Sequence, residues 1–133
     1  MRATVFDSYA VLAFLFAEPG RDMVKQLLQE ASQDSRDIFI TTVNWAEAGY
    51  RVIRENGAND WLASRQALLQ LPIQIVPADR DLAEVAAHFK ANHKMSLADA
   101  FAAALARQKK AELVTGDPEF KAIESEIKIG WLK

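Results

Sequence analysis

Short apolar runs of strand length recur along this sequence, and helical patterns fill the chain between them. RATVF (residues 2–6), DIFITT (37–42), IQIVP (73–77) and AELVT (111–115) read as strands, with IKIGWL (127–132) as a fifth. The intervening helices are SYAVLAFLFAE (8–18), stopped by Pro19 and Gly20, and RDMVKQLLQEASQ (21–33). They continue with VNWAEAGYRVIREN (43–56), NDWLASRQALLQL (59–71), DRDLAEVAAHFKAN (79–92) and SLADAFAAALARQKK (96–110). The strands are apolar at nearly every position, as strands are when helices cover both faces of a sheet. The expected fold is therefore α/β: a three-layer sandwich with a mostly parallel central sheet of about five strands flanked by helices. In such sheets ligands bind at the carboxyl edge, where strands hand over to helices.

Several acids fall on that edge. Asp7 follows the first strand directly, inside VFDSYAVLAFLF, where an unpaired carboxylate is costly. Glu47 lies in the first turns of the helix after the second strand. Asp99 lies in the first turn of SLADAFAAALA, a helix so rich in Ala and Leu that it must be buried nearly all round. Asp117 follows the fourth strand. Each has a local explanation. Asp7 suits a helix cap, and Glu47, three residues after Asn44, resembles the acid of a capping box. Ser96 with Asp99 fits the same box more closely, and Asp117 before Pro118 suits an N-cap. Together, however, these acids would repel one another unless a divalent cation neutralised them. A donor set made only of oxygens selects Mg²⁺ or Mn²⁺. Such a site activates water and neutralises charge on a phosphate. His88 and His93 fall on or just after one helix and read as surface residues, not members of a triad.

Composition narrows the rest. At 133 residues, half of them hydrophobic, the chain reads as a single domain with a sizeable core. The absence of cysteine excludes disulfides, thiolate metal sites and a cysteine nucleophile, and fits a cytoplasmic setting. No apolar run approaches the ~20 residues of a membrane span, and no signal peptide is legible at the N-terminus. The net charge of −2 gives no global attraction to nucleic acid, which would need a local basic patch.

Four segments, VFDSYAVLAFL, TTVNWAEAGYRV, SLADAFAAALA and LVTGDPEF, occur in an order and spacing that resemble a PIN-domain ribonuclease, and most closely the VapC toxins of toxin–antitoxin pairs. The likeness spans essentially residues 1–133. It implies a PIN-like fold, Mg²⁺- or Mn²⁺-dependent cleavage of RNA, and a metal site built from Asp7, Glu47, Asp99 and Asp117. Thr115 matches the hydroxyl residue that precedes the last acid by two, in a supporting role. Glu119 reads as a first-turn acid facing the helix dipole in preference to a further ligand. The resemblance also implies a cognate antitoxin, which wraps the apolar helix 8–18, and homodimerisation.

RNA needs positive charge near the acids. Arg51, one turn past Glu47, and Arg54 are candidates, as are Lys90, His93 and Lys94 ahead of the helix carrying Asp99. The plainer expectation is that Arg51 pairs with Glu47 and that the loop charges are solvated. Two other functions compete: a non-catalytic PIN-like module that docks partners on its acidic edge, and a Mg²⁺-dependent phosphotransfer domain. The second lacks its usual sequence, since Ser8 and Tyr9 follow Asp7 where a neighbouring acid is needed.

Overall fold

The computed structural model describes residues 2–133. Its elements, in order, are β1 (Arg2–Phe6), α1 (Ser8–Leu15), α2 (Arg21–Ser32), β2 (Arg36–Thr41), α3 (Thr42–Asn56) and α4 (Ala58–Leu69). β3 (Gln74–Val76), α5 (Arg80–Asn92), α6 (Leu97–Lys109), β4 (Glu112–Thr115), a 3-10 helix (Pro118–Ile123) and β5 (Ile129–Trp131) complete them. The strands form one sheet in the order β3-β2-β1-β4-β5, and every pairing is parallel.

Strand periodicity divides the core. Val5, Phe39 and Leu113 point to one face, where α5 and α6 pack. Phe6, Ile38, Ile40 and Val114 point to the other, against α1 to α4. From β1 the chain steps outward to β2 and β3, then returns across the opposite face through α5 and α6 to enter β4 on the far side of β1. Right-handed crossovers running in opposite directions require helices on opposite faces, which is why the molecule has three layers. The reversal leaves a switch point between the carboxyl ends of β1 and β4. α6 is buried from Asp99 through Ala106, as its composition anticipates, and its alanines let it lie close against the sheet and α5.

Two local expectations are revised. α1 ends at Leu15, three residues early, because Ala17 adopts a left-handed backbone (φ 53°) and Pro19 follows. Phe14, Leu15 and Phe16, at its end, are half-buried against α2 and their neighbours. At the start of α3 the cap is Thr41, whose hydroxyl oxygen accepts from the Asn44 N–H, so Asn44 and Glu47 do not form a capping box. Trp45 and Trp61 meet edge to face, with ring centroids 5.5 Å apart, and pack on the α1–α4 side of the core.

Candidate metal centre at the switch point

Asp7 is the first residue beyond β1, and Thr115 is the last residue of β4. The parallel register pairs Phe6 with Val114, so one further residue brings Asp7 beside Thr115. The Thr115 hydroxyl donates to Asp7 Oδ2 at 2.5 Å and accepts from the Asp117 backbone N–H at 3.0 Å. Asp7 Oδ1 accepts from the Ala10 N–H at 2.9 Å, which makes it the N-cap of α1. The local and the functional readings of Asp7 are thus compatible: one oxygen caps the helix, while the other is held by β4 at the switch point. Asp117 in turn caps the 3-10 helix by accepting from the Glu119 N–H, and Pro118 occupies the first position.

Asp99 comes from the opposite layer. Its N–H donates to Ser96 Oγ, the α6 cap, at 3.1 Å. The side chain of Asn44, fully buried, ties that corner together. Its amide Nδ2 donates to the Ala98 carbonyl, and its Oδ1 accepts from the Thr41 hydroxyl. This fixes α3 against the start of α6, and so fixes Glu47 relative to Asp99. Glu47 itself accepts from the Ser8 hydroxyl.

All four acids singled out from the sequence line one cleft of about 300 Å³. Within it, carboxylate oxygens of Asp99, Asp117 and Glu119 lie within 4.8 Å of one another. Glu119 therefore occupies the first turn, as its spacing suggests, and also faces the other acids. Burial pushes the Asp7 carboxyl up from 3.8 to about 7; the Thr115 and Ala10 hydrogen bonds pull it down, and the charges of Asp99 and Asp117 add to the rise. Asp99 is raised to about 6, first by burial and then by Asp117, with the Ser96 hydrogen bond opposing and Glu47 and Glu119 adding. Carboxylates that resist ionisation, first because they are buried and then because other carboxylates stand nearby, form a site that a cation relieves. The donors are oxygens only, which suits a hard divalent ion. The group could hold a metal.

The basic residues divide. Arg51 reaches the cleft lining and, among the described residues, makes no ion pair, so the anticipated pairing with Glu47 is replaced by the Ser8 contact. Lys90 donates to the Met95 carbonyl, and His93 lies 2.7 Å from Glu126; both serve the α5–α6 turn. Lys94 is exposed in that turn and does not line the cleft. The sequence assigns no site role to Ser8, Asn44, Tyr9 or Glu18, of which Ser8, Tyr9 and Glu18 line the cleft. Tyr9 leaves a legible trace: an aromatic residue two after the strand-end acid, matched by Gly116. A methyl group at position 116 would overlap the Tyr9 ring, so that glycine admits the ring to the cleft wall.

Fold and site define a class: a parallel α/β sandwich whose switch point gathers carboxylates from several helix and strand ends. The chain belongs to the PIN-domain family, whose model matches residues 4–126. No curated protein matches its sequence. Solved structures share its fold at low identity. VapBC2 from Rickettsia felis, solved bound to a DNA fragment from its promoter, is 16% identical with a TM-score of 0.80, over 98% of this chain and 99% of that one. DNA-bound VapBC from Salmonella typhimurium is 17% identical with a TM-score of 0.78, over 98% of both chains. Mycobacterium tuberculosis VapC20, a sarcin-ricin loop cleaving toxin, is 19% identical with a TM-score of 0.72, over 93% of this chain and 95% of that one.

Proposed function

We propose that this protein is a metal-dependent endoribonuclease and the toxin of a toxin–antitoxin pair, acting in the cytoplasm as a single PIN-like domain. The observation that carries the reading is the meeting of Asp7, Glu47, Asp99 and Asp117 in one cleft of a PIN fold, two of them with carboxyl groups raised toward neutrality. Mg²⁺ or Mn²⁺ held there would polarise a phosphate and make water nucleophilic at neutral pH. The chain's own groups do the rest. Asp7, Asp99 and Asp117 would hold the ion, and Glu47 would complete the set from α3. Thr115 fixes the orientation of Asp7, and Ser8 that of Glu47. Arg51 at the cleft wall takes a phosphate of the RNA, and Lys94 contributes from the turn before α6. Glu119 is close enough to serve as an auxiliary ligand. An antitoxin partner follows from the resemblance and from structural relatives that are VapBC pairs, and homodimerisation from the resemblance alone.

The test is cleavage of total cellular RNA by the antitoxin-free protein in Mg²⁺ or Mn²⁺ against EDTA, with Asp99→Asn as control. Discrete metal-dependent fragments, lost in the variant, are expected. Absence of cleavage by folded protein in either ion would overturn the reading.

A further inference from the structure

The acidic cleft is not the one concavity among the described residues. A groove of about 630 Å³ opens at the amino edge of the sheet, the opposite end of every strand from Asp7 and Asp117. Its lining is basic. Arg2 opens β1, and Arg36 opens β2 beside it in register. Arg107, Lys109 and Lys110 come from the end of α6, and Lys128 precedes β5. Only Glu112 and Glu126 oppose them in the lining; Glu126 accepts from Arg107, and Glu112 pairs with Lys128. Among the described residues Arg2, Lys109 and Lys110 are in no ion pair. Basic residues at a helix end commonly offset the helix dipole, which accounts for the three on α6. It does not account for Arg2, Arg36 and Lys128, which arrive from strand starts, where backbone dipoles are small.

Arg36 adds a built element. It is only 6% exposed, and its guanidinium is held by Glu30 and the Thr4 hydroxyl. Those bonds use three of its five N–H donors and fix the guanidinium among the residues that line the groove. Arg2, Lys109 and Lys110, which no carboxylate offsets, leave positive charge at one end of the molecule, opposite the acids, in a chain of net charge −2; Glu30 offsets the charge of Arg36. That separation suits a ligand with charge repeated along its length, one that could engage this groove without entering the cleft.

We propose that the groove is a second nucleic-acid site, which holds the sugar–phosphate backbone of single-stranded RNA away from the acidic cleft. The choice of RNA rests on the ribonuclease reading; the anion-binding chemistry does not. The groove supplies sequence-independent affinity through phosphate contacts, while the cleft selects the bond.

The experiment is fluorescence anisotropy of the intact protein with a fluorescein-labelled 30-nucleotide poly(U) RNA and a labelled 30-base-pair DNA duplex, in EDTA, where no metal-dependent cleavage can occur. The variants are Lys109→Glu/Lys110→Glu, the milder Lys109→Ala/Lys110→Ala, and a charge-matched control, Lys25→Glu/Arg80→Glu, outside both groove and cleft. Thermal melts confirm folding. The groove reversal should weaken RNA binding at least tenfold, with the control unchanged. The alanine pair should flatten the dependence of log K on log salt by about 1.4, the share of two phosphate contacts on a single strand. Unchanged RNA binding, equal weakening by the control pair, or a loss confined to the DNA duplex would each overturn the proposal. Because the readout is binding without cleavage, a failure of RNA hydrolysis in Mg²⁺ would count against the ribonuclease reading and leave this result standing.

Discussion

Asp7 is stabilised as a helix cap and destabilised as a charge, and the balance depends on pH. Its folded-state pKa, about 7, stands above the ordinary value of 3.8, so the folded protein keeps the proton over an interval in which the unfolded chain has lost it. Stability of the metal-free protein should therefore fall as pH rises from about 4 to about 7. Asp7→Asn removes the charge but turns an amide toward the Thr115 hydroxyl, whose proton then lacks its acceptor, at about 1–3 kcal/mol. The charge term is the larger at high pH. The metal-free variant should be more stable than wild type at pH 8, by roughly 1–3 kcal/mol, lose that advantage by pH 5, and not cleave RNA. Calorimetric melts across that range check it; a variant less stable than wild type at pH 8 would show that Asp7 is no burden. The position of Asp7 is legible in the sequence because an acid interrupts an apolar run. The role of Asn44 is not, because an asparagine near a helix start reads as a cap, and its actual partner, the Ala98 carbonyl, is 54 residues away.

At the scale of elements, the cleft is made by ends. α1, α6 and the 3-10 helix each contribute a cap or first-turn acid, and the caps that start them also aim the carboxylates, while α3 brings Glu47 from its second turn. α1 contributes Tyr9 to the wall, where it depends on Gly116 in the turn after β4. Tyr9 is 43% exposed, so a Gly116→Ala change can push its ring toward solvent without crushing the core. The expected stability loss is at the low end of overpacking, about 1 kcal/mol. RNA cleavage should fall severalfold with Mg²⁺ affinity unchanged, measured by activity alongside a metal titration. Parallel losses of stability and metal affinity would place Gly116 in the scaffold of the acids instead. Element types and most boundaries follow from periodicity and turn residues. The exceptions fall where tertiary contacts choose among competing local signals: α1 gives up its last turn to a left-handed Ala17, and α3 takes Thr41 as its cap over Asn44.

For the whole molecule, the order β3-β2-β1-β4-β5 could not be read from strand patterns, since all five strands are similar apolar runs whose neighbours are chosen by packing. The carboxyl-edge location of the acids follows from the α/β pattern alone, and their convergence on one cleft needs the order. That convergence predicts a linked stability. A divalent ion that binds the folded cleft and not the unfolded chain should stabilise by about 2.7 kcal/mol at a hundredfold excess over its Kd, a rise in Tm on the order of 10 °C. Mg²⁺ and Mn²⁺ should each do this at pH 7.5, and Asp99→Asn should remove most of the shift. A wild-type Tm indifferent to both ions would leave the acids without a metal to hold. No helix among the described residues is long and apolar enough to cross a membrane.

The bond from the Thr115 hydroxyl to Asp7 joins residues 108 positions apart. β1 lies at the centre of the sheet, yet one of its two neighbours, β4, is made only after all six α-helices. Until residues 112–117 emerge, β1 has an open edge, Asp7 lacks its β4 partner, and Asp117 is absent from the cleft. A growing chain therefore carries no finished centre until β4 and the turn after it have been made. If the cleft cuts RNA, the topology itself keeps each copy inert until its fourth strand joins the sheet.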